Sequence, residues 1–453
     1  MPNHQPRYGQ EDRRSAEDRL KDLRAVRRQV RSLITIRDDP AFAERIISDV
    51  RDRRVQRTDR TQFDLIPDKY GSTTLAAARS DQLLIRAEDD RDARAELEAR
   101  GLQRAEVDGL DNRVVAYTAE AADVATLARL AADLRMRGVP ISANYMTPMG
   151  GYVKYVASPE ETVGETPQFP QDVNPLMQNS HVRLVIIDTG VYGRDRSDGW
   201  LRDLETDDNR EVLDDSPAGG DGYLDLAAGH GSFCTGIVQQ IVPGADIEVW
   251  RELDSEGLAH ELDVAIALVD AVRKAFRDGK DVVLNLSFGV ETADDERPVA
   301  LGVALEIIDE EARKSKHDAL VVAAAGNFGH NRECYPAAFP TVTAVAALTQ
   351  ELLPAGWSSR GSWVDVCTIG EGVRSTFVPG TESPETDSSF EVFLQDAWAL
   401  WSGTSFAAPQ VAAAVAKIAI EEHVSPSEAL RRLLRGATTV PLYGKRVEIL
   451  PRI

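Results

Sequence analysis

Between residues 15 and 34, Leu20, Leu23, Val26, Val30, Leu33 and Ile34 fall three and four apart among dense Arg, Asp and Glu, a stripe that predicts an amphipathic helix. Asp38-Asp39-Pro40 restarts the chain. Phe42, Ile46, Ile47 and Val50 then predict a second, shorter helix with proline in its first turn, where a missing N–H costs nothing. From 82 to 148 the pattern becomes a compact alternation. It predicts a strand at 83–85, a helix at 90–99, strands at 102–107 and 113–117, a helix over 121–136 closed by Gly138-Val139-Pro140, and a strand at 141–145. The order βαββαβ is the split βαβ arrangement. Residues 158–180 carry Pro, Glu and Gln without periodicity and read as a linker.

After the linker the periods are those of an α/β domain: a buried strand at 182–187, a helix over 262–276, a strand at 282–286, a helix over 299–314 and a strand at 319–325. Strands and helices alternating at these lengths imply a parallel sheet with helices on both faces, and functional side chains collect at the carboxyl ends of such strands. The predicted organisation is a charged helical arm at 1–60, a small α+β unit at 61–157, a linker at 158–180 and an α/β domain over 181–453.

Composition narrows the partners. With 43% hydrophobic and 28% charged residues in 453, the chain can bury a large core. The first sixty residues hold 16 Arg and Lys against 11 Asp and Glu. That local excess of +5 within a net charge of −22 leaves −27 for the remainder, which argues against a nucleic-acid partner for the main body. No run approaches the ~18 apolar residues of a membrane helix. The opening stretch has neither an apolar h-region nor a small-residue cleavage site, and three cysteines, Cys234, Cys334 and Cys367, do not make a disulfide framework. The expectation is a cytoplasmic protein that binds neither membrane nor nucleic acid. Its N-terminal helices are expected to pack on their own chain; docking of a regulatory protein is the other reading.

Candidate chemistry starts at Gly403-Thr404-Ser405-Phe406-Ala407-Ala408-Pro409, which opens an apolar run over 411–420. Alone, Ser405 reads as a helix cap. As a nucleophile it has small neighbours that admit a substrate backbone, and a helix N-terminus whose unpaired N–H groups favour developing negative charge. Other strand ends complete the chemistry. The first buried strand runs into Asp188-Thr189-Gly190, a carboxylate able to orient a histidine. His230 stands between glycines in Gly229-His230-Gly231-Ser232-Phe233-Cys234-Thr235-Gly236, and Asn327 follows Ala323-Ala324-Ala325-Gly326 just past another buried strand, where its amide can donate to an oxyanion.

Together these four motifs, in the chain order Asp, His, Asn, Ser, resemble the subtilisin-like serine proteases, the subtilases or S8 peptidases, over about 182–440. The resemblance implies peptide-bond hydrolysis of peptide or protein substrates by acyl transfer. Ser405 would be the nucleophile, His230 the base, Asp188 its orienter and Asn327 the oxyanion donor. Ser287-Phe288-Gly289 and Ala325-Gly326 would line the substrate site, and no cofactor is required for the chemistry. Some subtilases carry a free cysteine where Cys234 stands, which implies sensitivity to mercurials; a small buried filler is the alternative.

Two stretches depart from the family pattern. The segment 194–225 is long and acidic, and Asp214, Asp221 and Asp225 are candidate structural Ca²⁺ ligands against the reading of a solvated loop. Residues 381–395 look like an acidic insertion before the nucleophile. Subtilase propeptides share the ferredoxin-like βαββαβ pattern seen at 82–156, which implies a zymogen restrained by its N-terminal region and processed within 158–180. The competing expectation is a catalytically silent peptide-binding pseudoprotease or scaffold.

Overall fold

The computed structural model describes residues 14–55, 62–66, 76–120, 123–147, 158–162, 166–215, 220–383 and 391–452. The end of the propeptide-like stretch at 148–157 and residues 384–390 of the insertion at 381–395 lie outside the described residues.

Helix α1 (Ala16–Asp38) is opened by Ser15, whose Oγ accepts the Asp18 N–H at 3.1 Å, and α2 (Pro40–Val55) starts on proline. The apolar stripe of α1 lies on the main body of the chain: Ala25 and Val26 pack on Leu400, and Leu33 on Ala347, Ala355 and Trp357. Gln29, buried within that stripe, donates to the carbonyls of Ser158 at 2.8 Å and Leu400 at 2.9 Å and accepts from Ser402 Oγ at 2.8 Å. A buried amide with its donors and acceptor engaged fixes the helix's register as well as its place.

The next unit is a five-stranded antiparallel sheet of β1 (Phe63–Leu65), β2 (Ala77–Arg86), β3 (Gln103–Glu106), β4 (Val114–Thr118) and β5 (Ile141–Tyr145), with α3 (Asp90–Ala99) and α4 (Val124–Met136) between strands. The path β1-β2-β4-β3, with β5 also on β2, keeps the expected βαββαβ order and adds β1. Because successive side chains point to opposite faces, both faces of β2 need cover. Leu83, Leu84 and Ile85 are all fully buried. From β2 and β5 the sheet reaches the main body: Arg86 makes a bidentate pair with Glu306, Asn144 Oδ1 accepts the Leu262 N–H at 3.4 Å, and Ser142 Oγ accepts the Val299 N–H at 3.2 Å.

The stretch 158–180 is more structured than a linker. It holds β6 (Glu160–Glu161) and a short helix α5 (Pro175–Gln178). The strand is held by Arg28 of α1, paired with Glu160, and by antiparallel pairing along an edge farther down the chain.

The main body is built from β7 (Val182–Asp188), α6 (His230–Ile241), β8 (Asp246–Arg251), α7 (Glu261–Arg277), β9 (Asp281–Leu286), β10 (Val290–Glu291), α8 (Val299–Ser315), β11 (Ala319–Ala324), β12 (Cys334–Tyr335), β13 (Val342–Leu348) and β14 (Val366–Ile369). There follow β15 (Val373–Thr376), β16 (Gly380–Thr381), β17 (Val392–Phe393), β18 (Trp398–Trp401), α9 (Ala408–Glu422), α10 (Pro426–Leu433), β19 (Thr439–Val440) and β20 (Gly444–Arg446). β18 is the edge that β6 extends. Eight strands form the central sheet in the order β19-β20-β14-β13-β11-β9-β7-β8, parallel except for the β19–β20 pair. α7 packs with α8 and α6 with α9 as the covering layers. α9 is apolar around nearly its whole circumference and accordingly buried, the behaviour of a core helix rather than a surface one. The chain thus has the expected α/β architecture, with Asp188 the last residue of β7, Asn327 three residues past β11, and Ser405 in a single turn ahead of α9.

Candidate active site

Strand β7 delivers Asp188 into the interior at its carboxyl end, fully buried. Its Oδ1 accepts the Thr189 N–H at 2.8 Å and lies 2.6 Å from Nδ1 of His230. A carboxylate oxygen in that place makes Nδ1 the protonated ring nitrogen, so Nε2 carries the free lone pair. His230 reaches this position because α6 begins on it and comes down against the exit of β7. Gly190 has φ +111°, and a Cβ on Gly231 would stand 2.1 Å from the Gly190 carbonyl oxygen, so the approach requires glycine on both sides. The imidazole is 1% exposed, with Trp401 and Phe406 rings at 5.6 and 5.4 Å, centroid to centroid.

Ser405 is also buried, and among the described residues its hydroxyl has no hydrogen-bond partner; His230 Nε2 is likewise without one. A buried polar atom left unpaired costs stability. Both residues belong to segments that meet at α6, His230 being its first residue and Cys234 of the same helix bonding the Ser405 carbonyl. The turn holding Ser405 is fixed from behind, since its carbonyl accepts from Ser287 Oγ at 2.8 Å and from Cys234 Sγ at 3.5 Å. Asn285 Nδ2 donates to Ser287 Oγ at 2.9 Å.

Asn327 is 2% exposed, and its Oδ1 accepts from the Thr404 N–H at 2.9 Å and Thr404 Oγ1 at 3.0 Å. Thr404 Oγ1 in turn accepts the Gly326 N–H at 3.1 Å. The wall residues Ser287, Phe288 and Gly289 follow β9, and Ala325 and Gly326 follow the neighbouring, parallel β11, so the two predicted walls stand side by side. Beyond Gly289, β10 turns away to pair with β12.

The acidic stretch 194–225 is solvated in part, with Asp203, Asp207, Asp208 and Asp221 exposed, and buried in part. Glu205 and Glu211 are buried. Glu205 Oε2 accepts the N–H groups of Gly193 and Arg194 at 2.7 and 2.8 Å, and Glu211 accepts from groups on both the Asp188 and His230 segments. Periodicity cannot reveal such residues, because their partners are backbone N–H groups distant in sequence. The calcium candidates are engaged with the backbone as well. Asp214 accepts from Asp221 and Gly222 N–H at 3.1 and 2.8 Å, and Asp225 from Asp215 N–H at 2.9 Å. Among the described residues, the one cluster of three convergent ligand types is Asp188, His230 and Cys234, not the predicted trio. Burial holds the Cys234 thiol well above its ordinary pKa, so it stays protonated.

The family model described as "Subtilase family" matches residues 179–444. Halolysin of Haloferax mediterranei is 28% identical over 295 residues, which is 61% of this chain and 50% of that protein. A thermophilic serine proteinase of Bacillus sp. (strain AK1) is 30% identical over 274 residues, covering 59% of this chain and 60% of that one. The chain therefore spans between half and three-fifths of the length of these two curated relatives. Among solved structures, a lanthipeptide protease is 23% identical at a TM-score of 0.44, covering 59% of this chain and 86% of its own.

Proposed function

The chain belongs to the subtilase family, and from that premise we propose that it is a serine endopeptidase that hydrolyses peptide bonds through an acyl-enzyme. The observation that carries this reading is the 2.6 Å contact of His230 Nδ1 with Asp188, with His230 Nε2 and the Ser405 hydroxyl each buried and without a partner among the described residues. In the first step Ser405 Oγ attacks the scissile carbonyl carbon while Nε2 of His230 takes the hydroxyl proton. Asp188 stabilises the imidazolium, and the carbonyl electron pair moves to an oxyanion bound by the Asn327 side-chain amide and the Ser405 N–H. The tetrahedral species collapses, the C–N bond breaks, and the imidazolium gives its proton to the departing amine. Water then attacks the ester with His230 again as base, releasing the acid and restoring the hydroxyl. Protein groups alone carry these steps. Hydrolysis of a quenched fluorogenic peptide library by the wild type and by Ser405→Ala tests the reading. Turnover in the first and none in the second is expected, and equal turnover would remove Ser405 from the mechanism. An intact set of Asp188, His230, Asn327 and Ser405 weighs against the silent-binder alternative.

Residues 61–157 serve in this reading as an inhibitory propeptide and the whole as a zymogen. Support comes from burial, because in the intact chain neither Ser405 Oγ nor His230 Nε2 is open to solvent, so something must move before a substrate carbonyl arrives. It comes also from the docking of β5 on the N-terminal ends of α7 and α8 through Asn144 and Ser142. A regulatory protein that displaced α1 would loosen β18, the strand leading to the nucleophile, through Gln29 and Leu400. The three free cysteines fit a reducing, cytoplasmic compartment.

A further inference from the structure

Helix α6 begins on His230 behind Gly229, which has φ +89° and no side chain with which to cap the exposed N–H groups of the first turn. Unsatisfied N–H groups at a buried helix end are costly, and a helix whose first residue carries the base must also be held at a defined height. Glu211 meets both needs from outside the helix. Oε1 accepts the N–H groups of Gly229 at 3.0 Å and Gly231 at 3.3 Å, and Oε2 accepts the Ser232 N–H at 3.3 Å and its hydroxyl. The Thr189 hydroxyl, one residue past Asp188, donates to Oε1 while accepting the Gly231 N–H at 2.9 Å. One carboxylate therefore joins the residue after Asp188 to the first turn that carries His230. Its neighbours Asn209 and Arg210 are tied to the exit of β7 through the Val191 N–H, bonded to the Asn209 carbonyl at 2.9 Å, and the Val191–Arg210 bridge.

We propose that Glu211 is a positioning residue for the proposed reaction, clamping the Asp188 turn to the His230 helix so that the 2.6 Å contact between them is preset. The clamp also places a carboxylate beside the pair. The titratable groups facing it are Asp188 at the end of β7 and His230 and Cys234 on α6. Burial, reinforced by Asp188, pushes the Glu211 carboxyl up to about 7, against the hydrogen bonds that hold it ionised. Above that pH an anion stands where it favours the imidazolium formed during acylation; below it the clamp loses its charge.

The proposal rests on the endopeptidase reading, and two substitutions separate them. Glu211→Leu fills the space but leaves the donors unmet. Glu211→Gln retains an acceptor for Gly229, Gly231 and Thr189 while removing the charge. Both are compared with the full-length wild type by circular dichroism and by kcat and KM on one fluorogenic peptide across pH. Glu211→Leu is expected to lose about 10²-fold or more in kcat with KM nearly unchanged, the cost of a misplaced catalytic group. Glu211→Gln is expected to recover most of that loss, with the acid limb of kcat/KM displaced to lower pH because an anion near the imidazolium is gone. A folded Glu211→Gln with wild-type kcat and an unmoved acid limb overturns the proposal even if Glu211→Leu does not fold, as does a loss carried by KM alone. A wild type without turnover overturns the endopeptidase reading and this one with it.

Discussion

The backbone N–H of Thr404 donates to Oδ1 of Asn327 at 2.9 Å, so the orientation of the amide is decided by a group that can only donate. With the oxygen held against the turn that bears Ser405, the side-chain nitrogen is the atom that the proposed reaction assigns to the oxyanion. Asn327→Ala is expected to lower kcat with little change in KM. The known cost of losing one such donor in a subtilisin is about 10²- to 10³-fold. The same variant should keep its unfolding temperature within a few degrees. A turnover close to wild type would mean that another donor holds the oxyanion.

Local patterns carried much of this architecture. The helix Asp90–Ala99 and the strand Ile141–Tyr145 coincide with the sequence reading, because each has its period and its turn signals within its own span. β2 runs from Ala77, well before the expected 83, since Ala77-Ala78-Arg79 pair with Leu65, Asp64 and Phe63, partners distant in sequence. β6 was illegible for a similar reason: two glutamates form a strand only because an edge and Arg28 are waiting for them. Asp188, His230, Asn327 and Ser405 were readable because each sits in a distinctive run of small residues. Glu211 was not, having no such frame, and its place between the two segments is visible only in the donors that converge on it.

Glu306 and Glu310, one turn apart on α8, form bidentate pairs with Arg86 and Arg113 of the N-terminal sheet unit. Exposed pairs of this kind are worth little one at a time and more where the geometry is bidentate and several act together. Reversing both acids to Arg removes the two pairs and adds repulsion, which should shift the docking equilibrium by about 5- to 30-fold. If the unit restrains the enzyme, peptide hydrolysis by the doubly reversed chain rises by a similar factor. Unchanged activity alongside a released unit, seen by limited proteolysis, would deny it an inhibitory role.

Burial raises the Glu261 carboxyl to about 8 where it accepts the Ala300 N–H at 2.8 Å. A folded pKa above the unfolded one means stability that is complete below the ordinary carboxylate range, about pH 4, and lost as pH climbs through about 8. Glu252 and Glu371, raised to about 7, act in the same direction, whereas His260, lowered to about 4, costs stability as pH falls from about 6.5 toward 4. In a Ser405→Ala background, which prevents self-digestion, the unfolding temperature should decline between about pH 5.5 and about pH 8.5. Glu261→Gln, neutral throughout, should flatten that decline by ~1 kcal/mol or more, some 2–4 °C. Parallel curves for the two chains would show that Glu261 does not titrate in this window.

Processing gives a further test of the precursor reading. Intact masses of the wild type and Ser405→Ala after expression should differ, the wild type having lost N-terminal residues by cleavage within 158–180 and the variant remaining full length. Equal, full-length masses would remove self-cleavage from the account.

The most direct test of the central claim is covalent labelling by a fluorophosphonate, which reacts with a serine hydroxyl only when a base has activated it. The wild type, as expressed and after limited proteolysis to release the N-terminal unit, should take up one label, located on Ser405 by peptide mass. Labelling should be abolished in Ser405→Ala and nearly so in His230→Ala. A wild type that stays unlabelled after release of that unit, or that labels equally well without His230, would contradict the assignment of Ser405, His230 and Asp188 as a working nucleophile, base and orienter.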